Sequence, residues 1–251
     1  FTPCPWLQIP PPPELEEAKF SSTGGQLFLR WDTATDRAGH GGSTFACDEL
    51  LEVPVASAAT CRWTSDAELT VGLDYRARCV PGDNVTAFGG LLKPHCEHND
   101  CSCWSTVNAS ATKLLVPDEP LVPEAVFLGA TKVGSCSNVA LDITSSTGSG
   151  GRNWVAVDWA INGTLPPRNM TLLREYVAGV VALDPDEPRL EVPNSYLVAG
   201  QTYTFAATLQ NFLGFRSTSD PFAVAIAGGS IPELVITAGA TYDLLVPSQP
   251  A

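Results

Sequence analysis

The stretch HCEHNDCSCW places His95, Cys96, His98, Cys101 and Cys103 within one short run of chain. Imidazole nitrogens and thiolates are the donors that tetrahedral zinc takes, so zinc is the first chemistry to weigh at these five residues. Two features oppose it. The ligands would have to stay reduced, and the tight spacing lacks a separated second ligand pair to close a domain around the metal. The expectation is a disulfide-knotted loop without metal, in which Cys101 and Cys103 take different partners because so short a ring is strained.

Carboxylates offer a second chemistry. Asp32 with Asp36, and Asp184 with Asp186 and Glu187, are candidate calcium ligands, since calcium gathers several carboxylate and carbonyl oxygens. Neither group follows the EF-hand spacing, and aspartates in turns are common, so no cofactor is expected and calcium stands as the alternative. Enzymatic chemistry has less to build on. The chain lacks a G-x-S-x-G nucleophile elbow. GHGGS at Gly39 to Ser43 echoes an oxyanion loop but sits in a polar turn, and His40, His95 and His98 all lie in loop-like segments. A non-catalytic protein is expected.

The elements that must position these residues read as strands. Around the glycine-rich segment of CSNVALDITSSTGSGGRNWVAVDW, Val139, Leu141 and Ile143 alternate with Ala140, Asp142 and Thr144. After it Val155, Val157, Trp159 and Ile161 alternate with Ala156, Asp158 and Ala160. A phosphate-binding loop needs a helix after its glycines, and here a strand follows, so Gly148 to Gly151 reads as an inter-strand turn. Further strands are expected in LEEAKF, QLFLRWD, ELTVGLDYRARCV and NVTAF. Tyr203, Phe205, Ala207 and Leu209 alternate with threonines and alanine, and Asn211 to Gly214 reads as a hairpin turn into a last strand ending near Ile226. No stretch shows helical periodicity. The spacing from Leu197 through Gly200 to Tyr203 predicts a tyrosine corner, in which a buried ring anchors its hydroxyl to upstream backbone. Tyr203 and Trp159 are therefore structural candidates.

Proline punctuation sets the expected boundaries: a proline-rich linker over 1–13, a first β-sandwich over 14–118 and a second over 119–230. Residues 231–251 read as the start of a third sandwich or a C-terminal linker. A chain of 251 residues suits about two domains. Its net charge of -13 argues against nucleic acid, which is bound by Lys and Arg displacing counterions. No apolar run approaches the length needed to cross a bilayer, and FTPCPWLQIPPPP does not read as a secretory leader. Eight cysteines accompany four sequons, at Asn84, Asn108, Asn162 and Asn169, and together these point to the secretory pathway. Cys47 and Cys61 bracket a loop of about 15 residues, whose closure contributes roughly 3 kcal/mol, and are expected to pair. Cys4, Cys79, Cys96, Cys101, Cys103 and Cys136 are expected to be oxidised as well, with their connectivity left open.

The motif around Cys136, Leu141, Asp142, Gly148 to Arg152 and Trp159 resembles the receptor for egg jelly (REJ) module of polycystin-type ectodomains. LVAGQTYTFAATLQNFLG followed by PELVITAG resembles the later strands of that module, and EAKFSSTGGQLFLRWDTATD with CRWTSDAELTVGL is similar to its earlier ones. The resemblance implies an all-β fold of tandem immunoglobulin-like (fibronectin-III/PKD-like) β-sandwiches. It also implies a role as structural spacer and protein-interaction module of a ciliary or cell-surface assembly, with other extracellular proteins or domains of the same large chain, a polycystin-type cation channel among them, as partners and N-linked glycans attached. The chain shows no autoproteolysis motif and no anchor, so those family functions are not carried over. The alternatives are a carbohydrate-binding sandwich, with Trp6, Trp63 or Trp104 stacking on sugar, and a repeat unit of a cell-wall or filament glycoprotein.

Overall fold

The computed structural model describes residues 10–54, 59–74, 77–97, 101, 104–163 and 167–228. The proline-rich start up to residue 9, and with it Cys4 and Trp6, lies outside them. So do His98, Cys103 and residues 229–251, which take in the 231–251 segment expected as the start of a third sandwich or a C-terminal linker.

The first sandwich contains β1 (Leu15–Phe20), β2 (Gln26–Trp31), β3 (Phe45–Ala46), β4 (Leu51–Glu52), β5 (Thr60–Trp63), β6 (Glu68–Gly72), β7 (Asn84–Ala87) and β8 (Ser110–Leu115). Their hydrogen-bonded order is β3-β5-β6-β2-β1-β8-β7-β4. All neighbours are antiparallel except β1 and β8, which run parallel with Ala18 opposite Leu114 and Lys19 opposite Leu115. That single parallel pair joins the two faces of the sandwich. Alternation explains the strands: in β2, Leu27, Leu29 and Trp31 are buried while Gln26, Phe28 and Arg30 face water. Each large apolar side chain so buried contributes roughly 2 kcal/mol relative to exposure.

The second sandwich contains β9 (Leu128–Gly129), β10 (Lys132–Val133), β11 (Val139–Asp142), β12 (Ala156–Gly163), the helix α1 (Pro167–Leu183), β13 (Arg189–Val192), β14 (Thr202–Gln210), β15 (Arg216–Thr218) and β16 (Phe222–Ile226). One sheet has the order β13-β11-β9, the other β10-β16-β14-β12, with β15 added to β14. Here too the strand near the start of the unit, β10, pairs parallel with the final strand, β16. Val139, Leu141, Leu190 and Val192 from one sheet and Ile161, Tyr203, Phe205, Val224 and Ile226 from the other fill the space between them. The fold is all-β and immunoglobulin-like, with one α-helix among the described residues.

That helix corrects the expectation that no segment has helical periodicity. Met170, Leu173 and Val177 are its buried positions and follow the i, i+3, i+7 spacing of one helical face. Leu172 and Leu183 are apolar yet exposed, and they blur the pattern in the sequence. Helix α1 lies beside β12, the last strand of its sheet. Arg174 Nε donates to the Ile161 carbonyl at 3.2 Å and its Nη2 to Asn162 Oδ1 at 3.0 Å, so the helix covers an edge that would otherwise offer unpaired backbone groups. A smaller correction concerns Val155, which precedes β12 and is exposed rather than part of its inward row.

Candidate functional site: the joint between the sandwiches

The turn between β14 and β15 is built on Asn211. Its backbone N–H donates to the Phe215 carbonyl at 3.1 Å, its side-chain Oδ1 accepts from the Phe215 N–H at 3.1 Å, and Gly214 supplies a φ of 88°. This hairpin carries Phe212 and Leu213 at its tip, where solvated turns carry polar residues. Both are buried, and both belong to the core of the first sandwich rather than their own. Phe212 meets Phe20 edge-to-face with ring centroids 5.7 Å apart.

Two glycines make room for that ring. Gly24, in the β1–β2 turn at φ 74°, lies so close to Phe212 that any Cβ would collide with the ring. Gly150, at φ 71°, borders the same ring. A Cβ there would stand 2.7 Å from Phe212 Cε1 and 2.8 Å from the Thr23 carbonyl oxygen. The glycine-rich turn of the second sandwich is therefore also a wall of the joint, held against the first sandwich at backbone contact distance.

Arg152, at the end of the same turn, closes the arrangement. Its guanidinium carbon lies 3.7 Å from the Phe212 ring centroid, and Nη1 donates to the Cys79 carbonyl of the first sandwich at 2.8 Å. Burial pushes the Cys79 thiol above its usual range, with the neighbouring Arg152 charge acting in the opposite direction. The linker is stitched to both sides: the Leu121 N–H donates to the Ser22 carbonyl at 3.2 Å, and Asn211 Nδ2 donates to the Leu121 carbonyl at 2.8 Å and the Gly148 carbonyl at 3.0 Å. Sequence reasoning identified the glycine turn but missed Phe212, Asn211 and Arg152 as joint residues. The available signal was NFLGF, two aromatics and a leucine in a segment read as a turn.

The other candidate residues fall as follows. Cys47 and Cys61 form a disulfide, their Cα atoms 5.0 Å apart. Cys96 and Cys101 form another, with Cα atoms 6.0 Å apart, which withdraws both thiolates from the zinc set. No metal-ligating cluster forms among the described residues. The expectation that Cys79 and Cys136 are oxidised is corrected: both are free thiols, Cys79 buried beneath Arg152 and Cys136 exposed in the β10–β11 turn. Neither has a described cysteine positioned to pair with it.

His40 stacks on Phe45 at 3.8 Å, and His95 Nδ1 lies 3.7 Å from Asp66, each on its own loop. Asp32 accepts from the Glu14 N–H at 2.8 Å and Asp36 from the Lys93 N–H at 2.9 Å and the Ala38 N–H at 3.1 Å, so these aspartates brace backbone. The four sequon asparagines, Asn84, Asn108, Asn162 and Asn169, are all exposed. Tyr203 is fully buried, and its hydroxyl accepts from the Val198 N–H at 2.9 Å; burial pushes its phenol upward. Trp159 is half-buried against Phe127. The sugar-stacking roles weighed for Trp63 and Trp104 are corrected, because both side chains are buried, Trp63 against Trp31 with centroids 5.0 Å apart.

Beside the joint lies a cleft of about 480 Å³. Arg152, Asn153 and Trp154 line one side and Asp184, Asp186 and Glu187 the other. Asn153 Nδ2 donates to Asp186 at 3.3 Å across it. The Asp184 carboxyl is raised by its hydrogen bond with Asp186 and by the negative charges of Asp186 and Glu187.

No family model matches the chain, and no curated protein matches it. Among solved structures it is similar to a crystal structure of titin domains, at 10% identity and a TM-score of 0.29, covering 78% of this chain and 55% of that one. It is also similar to the FN1-FN3 domains of chicken CNTN1, at 11% identity and a TM-score of 0.27, covering 86% of this chain and 68% of that one. The chain thus spans about half the length of the titin fragment. Likeness at those scores carries no functional weight, and the immunoglobulin-like fold rests on the strand order itself.

Proposed function

We propose that this chain is a non-catalytic extracellular spacer and protein-interaction segment, two sandwiches held at one fixed angle within a larger cell-surface or ciliary assembly. The observation that carries the reading is Phe212, a side chain of one unit buried in the core of the other. Independent domains on a flexible linker have no need of such a contact, and inter-domain motion is the default where it is lacking. Disulfides and exposed sequons suit an oxidising, glycosylating compartment. No helix of the described residues is long and apolar enough to cross a membrane, a statement that does not extend to β-barrels. Association with a polycystin-type channel follows from the REJ resemblance alone and belongs to the same proposal.

Small-angle scattering of the whole chain tests the reading. A single rigid inter-sandwich arrangement is expected, broadening into an ensemble in Phe212→Ala. Wild-type scattering that already requires many inter-unit angles would sink it.

A further inference from the structure

The cleft beside the joint has a chemistry of its own. Trp154 is half-buried and lines the cavity. It also packs against the cluster of Ile143, Val157, Ala207 and Leu209, which restricts its movement. Around it stand hydroxyls of Thr144, Ser146 and Ser149, the amide of Asn153, and the carboxylates of Asp184, Asp186 and Glu187. The volume of about 480 Å³ lies in the range of small-molecule sites.

We propose that this cleft is a saccharide-binding site, taking a short neutral or amine-bearing glycan unit against Trp154. A sugar ring has one apolar face and a rim of hydroxyls that both donate and accept. A fixed aromatic wall matches the first, and paired amide, hydroxyl and carboxylate groups match the second. The charge balance selects within that class. Three carboxylates face one guanidinium, and Arg152 is already directed to Cys79 and Phe212, so a sialylated, sulfated or phosphorylated glycan meets net repulsion. An amine on the sugar is favoured by the same carboxylates. A lipid is poorly matched, because polar side chains dominate the lining. The site goes beyond the spacer role, which stands or falls on the scattering experiment independently.

The test is a glycan array probed with the intact chain, carrying neutral, amine-bearing, sialylated and sulfated oligosaccharides, followed by calorimetric titration of the best neutral or amino glycan. Binding of that class is expected, reduced at least tenfold by Trp154→Ala and by Asp186→Asn. Asp186→Asn keeps the size of the side chain at a partly exposed position and guards against a Trp154 variant that fails to fold. An array without any retained neutral or amino glycan, a preference for anionic glycans, or binding unchanged in a folded Asp186→Asn protein would each overturn the proposal.

Discussion

The Arg152 guanidinium carbon, from the second sandwich, sits 3.7 Å from the centroid of Phe212, a ring that belongs to the core of the first sandwich. The two residues therefore act on the joint together. A double-mutant cycle should register this. Phe212→Ala is expected to cost about 3 kcal/mol, as a core phenylalanine does, and Arg152→Ala about 1 kcal/mol. Their sum should exceed the double mutant's loss by roughly 0.5 kcal/mol or more, because removing the ring already removes the cation's platform. Denaturant unfolding read at both sandwiches measures all three. Strict additivity would mean that the stacking contributes nothing.

Tyr203→Phe keeps the ring and deletes the acceptor for the Val198 N–H. A loss of about 1 kcal/mol is expected, since one hydrogen bond goes while the packing stays. A variant as stable as the wild type would show that the hydroxyl is idle.

The sulfurs should sort by reactivity. Alkylation of the native protein is expected to label Cys136, which is exposed, and to spare Cys79, which is buried and whose thiol burial pushes upward. Cys79 should label once the chain is unfolded without reductant. Cys47, Cys61, Cys96 and Cys101 should label only after reduction. Peptide mapping reads each position, and a Cys136 resistant to alkylation before reduction would mean that it is disulfide-bonded.

Asp142 predicts an acid dependence. Hydrogen bonds from the Thr144 hydroxyl and N–H, at 2.6 and 2.7 Å, hold its carboxyl below the usual range, with Arg189 reinforcing them. A lowered folded-state value means that the unfolded chain takes up the proton first, so the contribution is present above the ordinary carboxylate value of 3.8 and is lost as pH falls through the lower folded value. Asp142→Asn should flatten the acid limb of a melting-temperature profile below about pH 4. A limb identical to that of the wild type would assign acid sensitivity elsewhere.

How much of this was legible beforehand depends on how local each signal is. The alternation of β14 marks Tyr203 and Phe205 as inward, and the structure places both in the core, because period-two patterning survives wherever one sheet face is dry. Helix α1 escaped because apolar residues on its exposed side filled in the gaps of its stripe. The joint was invisible for another reason. Phe212, Gly24 and Arg152 are far apart in the chain, and only tertiary assembly makes the glycines a socket. The tryptophans show the same limit: Trp63 follows a cysteine in a strand and is core, while Trp154, beside the glycine turn, lines the cleft with Asp184 and Asp186, which arrive from beyond the helix.

The parallel pairing of an early strand with the last one in each sandwich has a mechanical consequence. Chain that enters along β1 and leaves along β8 departs at the end opposite its arrival, and in the second unit β10, which follows the short β9, runs alongside the final β16 in the same direction. Tension along the molecule then loads those strand pairs lengthwise, so their bonds must slide and break together rather than peel one by one. Resistance to pulling is thereby set by the height of the unfolding barrier more than by equilibrium stability.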